Sequence, residues 1–301
     1  MKKPYNYISL TGKWDVKDDI FENSGPIDEK TPQPFGLLLF DKLLMNGSFK
    51  AVIEFKKNIG SCARLVIGYD PKTKEYYSIG IGGYNFAYVI DKYTEGLGWR
   101  GLELSGYQQK IEDNKKYIIE LKLIGQRIKF KVNDIIIFDS QLPEPLSFYQ
   151  TGLFTWGKGI VKFSNIEIQQ EKAKAFVIME FKEPFESLYE EVIKKVCEDV
   201  GLYVYKADEV FQPGFILKDI IEGILESDII IADITPPNPN VFYELGYSHA
   251  LGKPTILLAQ RESRLPFDVS GFRVIFYDNT IKGKGEVENN LRNHLNNIIK
   301  Q

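Results

Sequence analysis

The stretch Ile229 to Pro254, IIIADITPPNPNVFYELGYSHALGKP, decides the fold of the half of the chain that carries it. It opens with four apolar residues, three of them β-branched, that end on an acid, Ile229-Ile230-Ile231-Ala232-Asp233. A continuous apolar run of that length reads as a strand buried on both faces, as in a parallel sheet. A Pro/Asn-rich loop follows, and within it Asn238-Pro239 is a helix-start signal. The Asn side chain caps free N–H groups, and proline loses nothing at the first helical position. Gly252 and Pro254 supply the matching stop. The unit is strand, loop, helix, with Asp233 at the strand's carboxyl end and Glu244 in the helix's second turn.

The same alternation extends to both sides. Strands are expected at Ala175–Met179, Leu202–Lys206, Pro254–Ala259 and Arg273–Tyr277, and helices at Glu186–Val200, Phe215–Leu225 and Val287–Ile299. Alternating strands and helices imply right-handed crossovers and a doubly wound parallel sheet, here in the flavodoxin-like order 2-1-3-4-5. In that order the first and third strands are neighbours, and a ligand crevice opens between their carboxyl ends. Its expected walls are Met179, Glu180, Phe181 and Lys182 after strand one, and Asp208 after strand two. Thr235, Asn238 and Asn240 follow strand three, with Tyr243 and Glu244 on the helix behind them.

Upstream, the period changes to two. Phe49–Phe55 and Tyr117–Leu123 alternate apolar with polar residues. Further strands are expected at Ala63–Tyr69, Tyr76–Ile81, Ala87–Lys92, Arg127–Val132, Ile135–Asp139, Gly152–Thr155 and Val161–Ile168. Short strands at even spacing with turn signals between them indicate an all-β antiparallel sandwich. Asn133-Asp134 reads as a tight hairpin turn. The polar segment 169–174 separates the patterns, placing a sandwich at 1–170 and an α/β domain at 174–301.

With 301 residues there is room for two cores, and a net charge of −3 gives no support to a nucleic-acid or membrane-surface role. No window approaches the ~20 apolar residues of a membrane helix, and the amino terminus lacks the apolar run of a secretory signal. Two cysteines, Cys62 and Cys197, are expected as separate buried thiols, which suits a cytoplasmic protein. Two histidines and no CxxC leave no structural zinc site. Gly80-Ile81-Gly82-Gly83 is followed by no helix, and Gly283-Lys284-Gly285 reads as a turn. A dinucleotide fingerprint and a phosphate loop are therefore both absent.

The segments AFVIMEF, KADEV, IIIADIT and NPNVFYELGYSHALGKP, in this order and spacing, resemble the nucleoside 2-deoxyribosyltransferase-like proteins. These are close in fold to the Toll/interleukin-1 receptor (TIR) NAD hydrolases. The resemblance covers about residues 174–280. It implies that Glu244, the glutamate of the ELG motif, is the nucleophile or stabiliser at a ribosyl C1′. Asp233 would then help to orient the sugar. One departure is Glu180, which stands where many relatives have proline. GKWDV, NGSFKAVIEF and TGLFTWGKGIVKFSNIEI, in that order, resemble the concanavalin A-like (laminin-G-type) jelly rolls. Trp99, Tyr84, Tyr88 and Trp156 are expected to fill or rim that sandwich rather than stack on a ligand.

The chemistry fits the residues. Breaking an N-glycosidic bond passes through an oxocarbenium-like state, which a carboxylate below C1′ stabilises by charge or by a covalent bond. Nicotinamide leaves oxidised NAD as a neutral molecule and needs no acid, which suits a site rich in carboxylates. The resulting expectation is an N-glycosidase acting on NAD or a related nucleotide, with NAD as substrate and no cofactor or metal. A homo-oligomer is expected, in the setting of a defence effector whose sandwich binds an undetermined ligand or protein. The rival readings are a nucleoside 2-deoxyribosyltransferase and a non-catalytic nucleotide-binding sensor.

Overall fold

The computed structural model describes residues 5–24, 35–57, 60–146, 150–206, 216–266, 269 and 271–299. It divides into two compact units, one built mainly from residues up to Glu171 and the other mainly from Lys172 onward.

The first unit is a jelly-roll-like sandwich of two seven-stranded antiparallel sheets. One sheet runs β1 (Tyr7–Thr11), β4 (Phe35–Leu43), β13 (Gln150–Trp156), β6 (Cys62–Tyr69), β7 (Tyr76–Ile81), β8 (Tyr88–Thr94) and β9 (Gly98–Ser105). The other runs β12 (Ile135–Gln141), β11 (Arg127–Val132), β10 (Lys116–Ile124), β5 (Gly47–Lys57), β14 (Ile160–Gln170), β3 (Ile20–Asn23) and β2 (Trp14–Lys17).

The period-two reading sets the register of the second sheet. Tyr117, Ile119 and Leu121 face Ile53, Ala51 and Phe49 across the β10–β5 ladder, and all six are buried. A slip of one residue would turn that whole row outward. Asn133 and Asp134 both take left-handed backbone (φ 49° and 65°), which a two-residue hairpin of matching twist requires.

Strands β1 to β4 and β9 were not anticipated. β1 is almost wholly exposed, and β4 is a run of leucines buried on both faces, so neither alternates. The face of the first sheet that carries Leu37, Val66, Tyr76 and Phe154 is a second apolar cluster. Trp99 packs there against Phe154, at a ring separation of 4.7 Å. On the same side the buried Arg64 pairs with Asp91, which also accepts from Ser78. Trp99 is thus part of the fold, while Tyr84 (44% exposed) and Trp156 (42%) lie at its surface.

The second unit is a five-stranded parallel sheet in the order β16 (Tyr203–Lys206), β15 (Lys174–Ile178), β17 (Ile229–Asp233), β18 (Thr255–Gln260) and β19 (Val274–Tyr277). Helices α3 (Ile216–Glu226) and α4 (Pro239–Ala250) cover one face. The other carries α1 (Phe185–Leu188), which runs through a π turn at Tyr189–Ile193 into α2 (Lys194–Asp199), and α5 (Ile281–Ile299). Strand alternation divides the core accordingly. Phe176, Ile178, Ile230, Ala232 and Leu257 meet Ile224, Val241 and Leu245 on the α3/α4 side. Ile229, Ile231 and Asp233 point the opposite way.

One expectation is corrected. Gly283-Lys284-Gly285 is the start of α5 and not a turn. Thr280 caps the helix, its Oγ1 accepting from the Gly283 N–H at 3.0 Å. A Cβ at Gly283 would stand 2.1 Å from the Asp278 carbonyl oxygen, so glycine there permits a close approach of backbone to backbone. Two glycines among its first five residues lower helix propensity and disguise the element. Cys62 and Cys197 are free and buried, one in each unit. Among the described residues, no helix is long and apolar enough to cross a membrane.

Candidate active site

Helix α4 delivers the principal candidate. Asn238 has extended backbone (φ −125°, ψ 123°), and its Oδ1 accepts from the Asn240 N–H at 2.9 Å, with Pro239 at the first helical position. This is the start that the Asn-Pro pair foretold. The helix buries Val241, Leu245 and Ser248 against the sheet. At about 100° per residue, Glu244 lies ~60° to one side of Val241, at the rim of that apolar stripe. Its side chain is consequently half-buried.

Burial alone raises the Glu244 carboxyl to about 7 from an ordinary value of 4.5. Among the described residues, no hydrogen bond or ion pair compensates it. Unpaired, desolvated carboxyls mark functional sites more often than structural ones, since a structural acid would be expected to acquire a donor.

The neighbouring loop after β15 meets the α4 cap. Glu180 accepts a hydrogen bond from the Asn238 Nδ2 and pairs with Lys182 at 3.0 Å. The Asn238 bond, then Lys182, hold the Glu180 carboxyl below the usual range. Glu180 therefore ties the loop after strand one to the loop after strand three, across the point where the strand order reverses. Met179 is buried, and Phe181 is 42% exposed with the Lys206 ammonium over its ring at 5.3 Å.

Asp233 is placed differently. It is fully buried and accepts from the Tyr277 hydroxyl at 2.5 Å and from the Thr235 N–H at 3.0 Å. Desolvation pushes it up to about 7, and these two donors act against the rise. Its side chain lies on the α1/α5 face of the sheet, whereas Glu244 belongs to a helix on the other face.

Thr235 braces the same loop. Its Oγ1 accepts from the Gln260 N–H at 3.0 Å, and its hydroxyl lies 3.3 Å from that of Ser263. Asn240 is exposed and Tyr243 is 57% exposed, both on the outer side of α4. His249 stacks on Phe272, with ring centroids 4.5 Å apart. Asp208 lies outside the described residues.

Sequence reasoning did not single out Gln260 or Tyr277, the last residues of β18 and β19. A signal existed: each is the polar end of an apolar strand, on the carboxyl edge where parallel sheets place their chemistry.

The structure thus joins Glu180, Asn238 and the start of α4 at the switch point, and the half-buried Glu244 lies further along the same helix. Asp233 and Thr235 are hydrogen-bonded to each other and to Tyr277 and Gln260 at the ends of β19 and β18.

No family model matches the chain, and none of the curated proteins does. Among solved structures, a carbohydrate-binding module, CBM66, from Bacillus subtilis is similar over 55% of this chain and 96% of its own, at 18% identity and a TM-score of 0.45. A β-glucanase from Bacillus licheniformis is similar over 55% of this chain and 97% of its own, at 11% identity and a TM-score of 0.38. A CMP N-glycosidase from Clostridium botulinum is similar over 39% of this chain and 98% of its own, at 25% identity and a TM-score of 0.32.

Proposed function

We propose that the α/β unit cleaves the N-glycosidic bond of a nucleotide, with Glu244 as the carboxylate that faces the anomeric carbon. The observation that carries this reading is the half-buried Glu244 carboxyl, raised to about 7 and without a protein partner among the described residues. A carboxylate so placed gains most when a positive charge arrives, and the oxocarbenium-like transition state supplies one.

In the step envisaged, the C1′–N bond breaks and its electron pair leaves with the base. The ionised Glu244 stabilises the cationic sugar, or bonds to C1′ and is released by water. A pyridinium base such as that of NAD departs neutral and needs no proton, whereas cytosine leaving CMP or deoxycytidine takes one from water. Asp233 is a positioning residue: its bond to the Thr235 N–H fixes the loop that leads to Asn238 and α4. Glu180 has the same kind of role through Asn238. The resemblance of the NPNVFYELG segment to the deoxyribosyltransferase-like proteins supports the assignment of Glu244. The sandwich is assigned the binding of a regulatory ligand or partner.

The test is to incubate the full chain separately with NAD, CMP and deoxycytidine and to separate free base from nucleotide by chromatography. Release of base from one of them, lost in Glu244→Gln, is the expected result. Adding a second free base distinguishes hydrolysis from transfer, since a transferase would yield the exchanged nucleoside. Binding of all three without release of base would overturn the catalytic reading and leave a nucleotide sensor.

A further inference from the structure

The α1/α5 face of the parallel sheet, away from Glu244, holds a cavity of about 350 Å³ at the carboxyl ends of β18 and β19. This lies within the range of small-molecule sites. Its apolar walls come from Phe185, Leu188 and Val192 on the α1 side and Val287 on α5. Gln260 and Tyr277 bring polar groups to it from the strand ends.

These groups are already ordered. The Tyr277 hydroxyl donates to the buried Asp233, and the Gln260 side chain bonds to Tyr277 in turn. With its amide N–H given to the Tyr277 oxygen, Gln260 keeps its carbonyl as an acceptor. The charges around the cavity are paired among themselves: Lys284 with Glu191 at 3.0 Å, and Arg261 with Asp278 at 3.1 Å. A charged ligand would have to break one of these pairs or enter apolar walls without a counter-ion.

We infer that this cavity is a second ligand site, for a small uncharged planar heterocycle that carries an amide or ring N–H. The flat ring lies between Phe185 and the aliphatic wall, and its N–H donates to the Gln260 carbonyl. The Tyr277–Asp233–Thr235 chain borders the site on the side of the strand ends. The site is independent of the reaction assigned to Glu244, and failure of either reading leaves the other standing.

The test uses the full chain with labelled isoleucine, leucine and valine methyl groups, titrated with nicotinamide and with cytosine. Nicotinate, the anionic counterpart of nicotinamide, serves as the charge control. Saturable shifts at the Leu188, Val192 and Val287 methyls are expected with at least one neutral probe, and binding of nicotinate at least tenfold weaker. Ser187→Trp obstructs the cavity from an exposed position without touching the core, and it should abolish these shifts. Gln260→Leu should weaken binding about tenfold, and Glu244→Gln should leave it unchanged. The Val241 and Leu245 methyls report separately on any binding beside α4. Equal affinity for nicotinate, shifts that survive Ser187→Trp, or no saturable shift at the three methyls would each overturn the inference.

Discussion

The two faces of the five-stranded sheet treat a buried acid in opposite ways. On the α1/α5 face, Asp233 sits in a chain of satisfied groups, with Tyr277 and Thr235 as donors and Gln260 behind them. On the α3/α4 face the core is hydrocarbon, and Glu244 stands at its rim with no donor among the described residues. Burial raises both carboxyls to about 7. A raised pKa therefore does not separate structure from chemistry; the inventory of partners does. An acid surrounded by donors braces a loop, and one left without them is available to a substrate.

Neutralising each acid should break this symmetry. The largest effect is expected for Glu244→Gln, which removes the charge and keeps the shape: base release should fall about a hundredfold or more, with stability unchanged or slightly raised. Stability from urea denaturation beside the rate checks both halves of that statement.

Tyr277→Phe should do the reverse, lowering stability by about 1–3 kcal/mol by leaving the buried Asp233 short of a donor. The sign of its pH dependence follows from the raised Asp233. The folded protein holds a proton up to about 7 that the unfolded chain releases near 3.8. The contribution of Asp233 to stability is therefore fully present below the lower value and fades as pH rises through the upper one. Denaturation at pH 5 and pH 8 should show a larger loss for Tyr277→Phe at pH 8, and Asp233→Asn should flatten the decline.

The smallest effect belongs to Asn238→Ala. It removes the α4 cap and the bond to Glu180, at about 1 kcal/mol of stability. Because that corner presents Glu244, the rate should fall by more than this loss of stability accounts for. A rate that tracks the folded fraction alone would reduce Asn238 to a helix cap.

What the sequence made legible follows the strength of its local signals. The β-branched run before Asp233, the Asn238-Pro239 start and the Gly252 stop each have a local physical cause, and the structure has β17 and α4 where they say. The 2-1-3-4-5 order followed from the alternation of elements. The start of α5 was hidden because Gly283 serves a contact with the Asp278 carbonyl that no local rule shows. β4 was hidden because both of its faces are covered, which erases the alternation that reveals a strand.

In the site, the helix start and spacing placed Glu244 in the second turn of α4, where the structure has it half-buried, while its proposed role comes from the resemblance of the ELG motif. The partner of the Asp233 side chain was not legible, because Tyr277 lies two strands away in the sheet and 44 residues on in sequence. Glu180, the one departure from the resembled motif, accepts a hydrogen bond from the Asn238 side chain.

The most direct test of the account is the rate of base release from the substrate found among NAD, CMP and deoxycytidine, measured at pH 6 and pH 8 for the natural chain and for Glu244→Gln. Glu244 must be ionised to act and titrates at about 7, so kcat/KM for the natural chain should be about tenfold higher at pH 8. Glu244→Gln should release little base at either pH. Equal release by the two proteins, or a rate that declines from pH 6 to pH 8, would contradict the assignment of this carboxylate to the reaction.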